Sequence, residues 1–166
     1  IMQTALSHFS GIDRRFQILG EFSYQKGHIL LIDDYGHHPR EIAATLKAIR
    51  NAWPDRRLVM IYQPHRYTRT RDLFNDFVEI LSTVDRLLLL DVYAAGETPI
   101  PDANSASLLK SIHQAGHLNS IHVEDKQNLS QTLAQVLQAG DVLLLQGAGD
   151  IGSIAQNLAH SQLEMN

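Results

Sequence analysis

Short apolar runs alternate with amphipathic stretches along the chain, and the period of the pattern changes near residue 39. Residues 15–22 and 28–33 read as strands, with Gln25-Lys26-Gly27 turning between them. A connection that short predicts an antiparallel hairpin, because it leaves no room for a crossover. Pro39 suits the first turn of a helix, and Ile42, Leu46, Ile49 and Trp53 then recur at helical spacing before Pro54. Residues 58–62 form the next strand, followed by one helix carrying Leu73, Phe74, Phe77, Ile80 and Leu81 on a single face. Residues 86–92, with four successive leucines, read as a strand buried on both sides. The pattern continues as a helix over 105–115, a strand over 121–123, a helix over 129–137, a strand over 141–146 and a helix from about Ile151. Residues 4–10 read as the end of a helix, broken at Gly11.

Strands separated by helices predict an α/β fold. The expected architecture is a doubly wound sheet of five parallel strands, one antiparallel N-terminal strand, and helices on both faces. At 166 residues the chain can bury roughly two-thirds of its unfolded surface, so one domain needs no disulfide or metal to fold. It has no cysteine, which excludes disulfides, thiol nucleophiles and cysteine zinc sites, and agrees with a reducing, cytoplasmic setting. A net charge of −4 argues against a dedicated nucleic-acid or membrane-surface binder. No apolar run approaches the roughly 20 residues that span a bilayer.

In such a sheet ligands bind beyond the carboxyl ends of the strands, which directs attention to four loops. They are 33–39 (DDYGHHP), 63–70 (QPHRYTRT), 91–97 (DVYAAGE) and 147–152 (GAGDIG). Either Asp33 or Asp34 is expected to cap the following helix, since a carboxylate satisfies free N–H groups there. His37 and His38 are adjacent in a strand-to-helix turn and lack metal-ligand spacing, so no metal site is assigned to them. Arg66 and Arg69 share a face if the turn after Pro64 is helical, and two guanidinium groups can fork onto a carboxylate or phosphate. The competing reading pairs them with Asp72 or Asp76. Residues 147–152 fit Gly-x-Gly-x-x-Gly, but too few residues follow to supply the second strand and acidic residue of a dinucleotide site. The loop retains the capacity to offer N–H groups to an anion. No Walker phosphate loop and no Gly-x-Ser-x-Gly elbow occurs.

Read in order, residues 11–16, 19–22, 33–39, 63–70, 91–97 with Pro99 and Ile100, and 147–152 resemble the C-terminal domain of the ATP-dependent Mur ligase family of peptidoglycan synthesis. The resemblance is to members that join L-alanine to UDP-N-acetylmuramate, and residues 63–70 discriminate best. It implies a Rossmann-like domain over residues 13–166, with residues 1–12 as the tail or linker of a central domain. The Ile1-Met2 start then reads as a cut between domains. The phosphate loop, the Mg2+ ligands and the uridine site are expected upstream, and this chain alone is expected to lack ligase activity. The implied reaction phosphorylates the sugar's carboxylate with ATP and lets the amine of alanine attack the acyl phosphate. His65, Arg66 and Arg69 would face the amino acid, whereas Arg15, Asp34, Tyr35 and His37 would line the nucleotide junction. Tyr93, Glu97, Gly147 and Gly149 would complete the pocket wall, with no metal and no catalytic residue assigned in this domain. The alternatives are the related ligase that reattaches a recycled peptide and a stand-alone nucleotide- or anion-binding module.

Overall fold

Central strands buried on both faces set the architecture: every residue of Leu58–Tyr62 and Val142–Gln146 is buried. The computed structural model describes residues 14–163. Six strands form one sheet: β1 (Gln17–Tyr24), β2 (Gly27–Asp34), β3 (Leu58–Tyr62), β4 (Arg86–Leu90), β5 (Ser120–Val123) and β6 (Val142–Gln146). Their spatial order is β1-β2-β6-β3-β4-β5. β1 is antiparallel to β2, and every other pairing is parallel. The expected sheet of five parallel strands and one antiparallel strand is what forms.

The helices are α1 (Pro39–Ala52), α2 (Tyr67–Asp72), α3 (Phe74–Leu81), α4 (Ser105–Gln114), α5 (Leu129–Val136) and α6 (Ile151–His160), with a 3-10 turn at Lys126–Asn128. Successive strand residues point to opposite faces, so Ile29 and Leu31 of β2 serve one core and Leu30 and Ile32 the other. The first core is covered by Leu129 and Leu133 of α5 and by Ile151, Ala155 and Leu158 of α6. The second is covered by Ile42, Leu46 and Ile49 of α1, Phe77 and Leu81 of α3, and Leu108 and Ile112 of α4. Helices therefore lie on both faces. No described helix is long and apolar enough to cross a membrane.

The helix expected around residues 73–81 forms as α3, and the turn after Pro64 is helical as α2, with Leu73 (φ −116°, ψ 25°) between them. One local expectation changes. The cap of α1 is neither Asp33 nor Asp34. His38 Nδ1 accepts from the Arg40 amide at 3.2 Å, and Glu41 accepts from the His37 and His38 amides at 2.9 and 3.0 Å. That reciprocal box uses an imidazole where a carboxylate was expected. The helix expected over residues 4–10 and the linker over residues 1–12 lie outside the described residues.

At the amino ends of the strands, arginines are matched to acids. Arg57 forks onto buried Asp141 at 2.7 and 2.9 Å, Arg50 meets Asp85 at 2.8 Å, and Arg56 meets Glu21 at 2.9 Å.

Tyr62, the last residue of β3, is fully buried and its hydroxyl has no partner among the described residues. Burial drives its pKa far up, so it stays a neutral O–H. An unmet buried hydroxyl costs about 1–3 kcal/mol. Tyr62→Phe is therefore expected to unfold in urea at the same or higher concentration than the parent chain. A loss of more than about 1 kcal/mol would show that the hydroxyl is satisfied after all.

Candidate functional site at the carboxyl ends of the strands

Parallel register aligns the ends of three neighbouring strands. Asp34 of β2 and Tyr62 of β3 both sit opposite Gln146 of β6, so the loops after these strands start level with one another. The fourth loop joins through a bridge between His65 and Tyr93: Tyr93 N–H donates to Pro64 O at 2.8 Å and Arg66 N–H to Tyr93 O at 2.9 Å. All four loops therefore meet at one edge, as their sequences suggested.

Aromatic rings run across that edge. Tyr35 meets His37 edge-on at 5.5 Å, His37 lies 5.8 Å from His65, and His65 stacks on Tyr93 at 5.5 Å with an interplanar angle of 11°. Both terminal rings are open to solvent, Tyr35 at 42% and Tyr93 at 39% exposure. Exposed tyrosines flanking two imidazoles form a surface on which a planar group can stack.

The residues after β3 supply cations. Arg66, at φ 73°, turns the chain into α2. Arg69 folds back so that Nη1 donates to His65 O at 2.8 Å and lies 3.2 Å from His65 Nδ1. Arg66 is exposed and Arg69 half-buried, and among the described residues neither enters an ion pair. The competing pairing with Asp72 falls instead to Arg71, at 2.8 Å. Glu97 accepts from the Thr68 amide at 3.0 Å and its hydroxyl at 2.6 Å, anchoring the start of α2 to the loop after β4. Those Thr68 hydrogen bonds hold the Glu97 carboxyl below the usual range.

His65 is held below the ordinary histidine pKa, first by burial and then by Arg69, His37 and Arg66. With Nδ1 accepting from Arg69, the neutral ring carries its hydrogen on Nε2. His65, Arg66 and Arg69 thus make a cluster of donors.

The glycine loop needs its glycines. A Cβ on Gly147 (φ 148°) would sit 2.7 Å from Gln63 O, and one on Gly149 would sit 2.7 Å from Tyr93 Cγ. Gln63, buried, braces the loop by donating to Asp150 at 2.7 Å and accepting from the Ile151 amide at 3.2 Å. Lys126 clamps Asp150 at 2.6 Å, and with Gln63 it outweighs burial to keep that carboxyl below its usual pKa.

The junction residues divide by exposure. Arg15 is exposed beside the start of β1, and Tyr35 and His37 stand in the aromatic row. Asp34 is 7% exposed; Oδ1 accepts from Gly36 N–H and Gln146 Nε2, and Oδ2 from Phe16 N–H, at 2.7–2.8 Å. One lone-pair position, on Oδ2, is left over. Asp33 is fully buried and takes the fork of Arg14. Arg14, Gln63, Gln146 and Lys126 were missed in the sequence. Arg14 and Gln63 stand inside quoted motifs, but nothing local marks their partners.

Residues 14–149 match the family model described as Mur ligase, glutamate ligase domain. The chain belongs to the Mur ligase family. The Mur ligase domain is similar to a UDP-N-acetylmuramate–alanine ligase from Thermotoga maritima, at 26% identity and TM-score 0.73, covering 98% of this chain and 33% of that one. A murein peptide ligase from Psychrobacter arcticus is similar at 22% identity and TM-score 0.65, over 97% of this chain and 32% of that one. A bifunctional folylpolyglutamate synthase/dihydrofolate synthase from Yersinia pestis has the same fold, at 17% identity and TM-score 0.57, over 92% of this chain and 32% of that one. The chain thus spans about a third of these ligases. The four loops of the site lie within or immediately beyond the matched stretch.

The Mur ligase domain should show its His65 environment directly. In a histidine NMR titration, His65 is expected to titrate below about 6.5, and Arg69→Gln is expected to move the midpoint upward. A folded-state pKa below the unfolded one means the unfolded chain binds the proton first. This site therefore contributes stability that falls as pH drops below about 6.5. A His65 midpoint above 6.5, or one indifferent to Arg69→Gln, would contradict the donor-cluster reading.

Proposed function

We propose that this chain is the amino-acid-binding and closing domain of an ATP-dependent ligase that joins L-alanine to UDP-N-acetylmuramate. The observation that carries the reading is the arginine pair. Arg66 and Arg69 have no carboxylate of their own among the described residues, whereas Arg50, Arg56 and Arg57 at the opposite edge all do. A cationic pair held beside the His65 donor suits a carboxylate supplied from outside. The similarity to the alanine ligase of Thermotoga maritima supports alanine as that carboxylate's source.

In the proposed reaction the γ-phosphoryl of ATP passes to the sugar's carboxylate. The amine of alanine then attacks the acyl carbon, and phosphate leaves as the amide bond forms. The products are ADP, phosphate and UDP-N-acetylmuramoyl-L-alanine. Arg66 and Arg69 hold the alanine carboxylate and leave the amine free to point at the acyl group, which raises the effective concentration of the nucleophile. His65 adds its Nε2 donor, while Tyr93 and the Gly147–Gly149 loop wall the pocket. Because the intermediate is negatively charged, donors fixed in advance lower its energy without reorganisation.

On the nucleotide side, the exposed Tyr35 face, His37 and Arg15 fit an adenosine nucleotide, with Asp34 Oδ2 retaining one position for a ribose hydroxyl. Mg2+ would supply charge neutralisation to the phosphates. Among the described residues no group of three or more histidines and acids gathers to hold it.

The test uses the ligase that carries this domain, assayed for phosphate release with ATP and UDP-N-acetylmuramate. L-alanine is expected to be the amine donor. Arg66→Ala and Arg69→Ala are each expected to raise its KM by roughly tenfold or more, a loss of about 1.4 kcal/mol. Turnover with L-alanyl-γ-D-glutamyl-meso-diaminopimelate in place of alanine would favour the peptide-recycling reading instead. Unchanged KM in both variants would remove the clamp.

A further inference from the structure

Arg14 stands at the first described position, beside Arg15, and it does a different job from its neighbour. Its guanidinium forks onto the fully buried Asp33, Nε to Oδ2 at 2.9 Å and Nη2 to Oδ1 at 3.3 Å. The same Nη2 donates to the carbonyl of Gly147 at 2.9 Å, and the guanidinium carbon lies 5.4 Å from the centre of the Tyr35 ring. The Arg14 carbonyl in turn accepts from the Tyr35 amide at 2.6 Å. One side chain therefore ties the approach to β1, the loop after β2 and the glycine loop after β6. Its side chain is only 21% exposed, so it faces those loops more than solvent.

The grip on Gly147 has a directional consequence. In a trans peptide the carbonyl of one residue and the N–H of the next share a plane and point in opposite directions. Holding the Gly147 carbonyl toward Arg14 aims the Ala148 N–H away from it. The Gly147 amide is pinned as well, donating to Asp34 O at 3.1 Å. We propose that Arg14 is a positioning residue. It sets the direction of the Ala148 N–H and holds the inner face of the Tyr35 ring, so that both present fixed surfaces to the nucleotide. This rests on the ligase reading only in naming the nucleotide as the ligand. Arg14 touches no ligand itself. A lysine cannot take its place, because one ammonium cannot span Asp33, Gly147 and the ring as a planar fork does.

Gly152 provides an independent handle. A Cβ there would overlap the Arg14 guanidinium, and its three nearest atoms all belong to that side chain. Gly152→Ala puts a better helix former into α6 while displacing a flexible side-chain end. It should therefore move Arg14 while leaving α6 helical, at a cost in stability because Asp33 is buried.

The experiment compares this chain with its Arg14→Lys, Gly152→Ala and double variants. Thermal melts and amide 1H–15N spectra of this chain, and MgADP affinity of the ligase that carries it, are the readouts. Gly152→Ala is expected to keep a cooperative melt and to shift the Tyr35, Ala148 and Gly149 amides. Arg14→Lys is expected to shift the same three, and each single variant to weaken MgADP about fivefold or more. The double variant should be no worse than the weaker-binding single one, since both changes remove one device. Spectral changes confined to β1 and α6, with the Ala148 and Tyr35 amides unmoved, would overturn the proposal. If MgADP affinity of the ligase is unchanged in both single variants yet those amides shift as described, the positioning role stands and the assignment of the nucleotide to this edge fails.

Discussion

The site depends on a shared register. Asp34, Gln146 and Tyr62 end three adjacent parallel strands at one level, so three chain reversals begin side by side. Register alone would leave these loops as separate arches. Buried polar side chains turn them into one object: Gln146 reaches Asp34 at 2.7 Å, and Gln63 reaches Asp150 at 2.7 Å. Each joins segments distant in sequence through a buried glutamine, whose lost partner is costly.

Charge is distributed between the two ends of the sheet in opposite ways. At the amino ends, Arg50, Arg56 and Arg57 are neutralised by Asp85, Glu21 and Asp141, and these pairs link α1 to the approach to β4 and the approach to β3 to β1 and β6. At the carboxyl ends, the acids are used to shape loops. Asp33 takes Arg14, Asp34 takes backbone amides, Glu97 takes Thr68 and Asp150 takes Lys126. Among the described residues Arg66 and Arg69, after β3, are left without an acid, as is the exposed Arg15. Such an edge repels cations and favours an anion from outside, and it does so through groups fixed before any ligand arrives.

Hydrophobic period was enough to read the sheet. The strand at residues 58–62 and the helix starting at Pro39 were legible to the residue, because a fully apolar run and a proline-led amphipathic stretch are strong local signals. The helix over 74–81 was legible from its apolar face, whereas the six-residue helix at 67–72 was legible only as a condition, because so short a turn carries little periodicity. The capping of α1 by His38 was misread: Asp33 and Asp34 are better caps by type, but each is drawn into the fold by a partner elsewhere. The loops of the site were visible as motifs. Which of two adjacent arginines points inward was not, because Arg14 is chosen by Asp33 and Gly147, and the latter is 133 residues away. Long-range pairing is the part of a site that local pattern does not encode.

The central claim is that an amino-acid carboxylate is held at the carboxyl ends of the strands by Arg66, Arg69 and His65. The most direct measurement is a chemical-shift map of this chain titrated with L-alanine. The account predicts the largest shifts at His65, Arg66, Arg69, Tyr93 and Gly149. Shifts centred on Arg50, Arg57 and Arg86 at the opposite edge would contradict it.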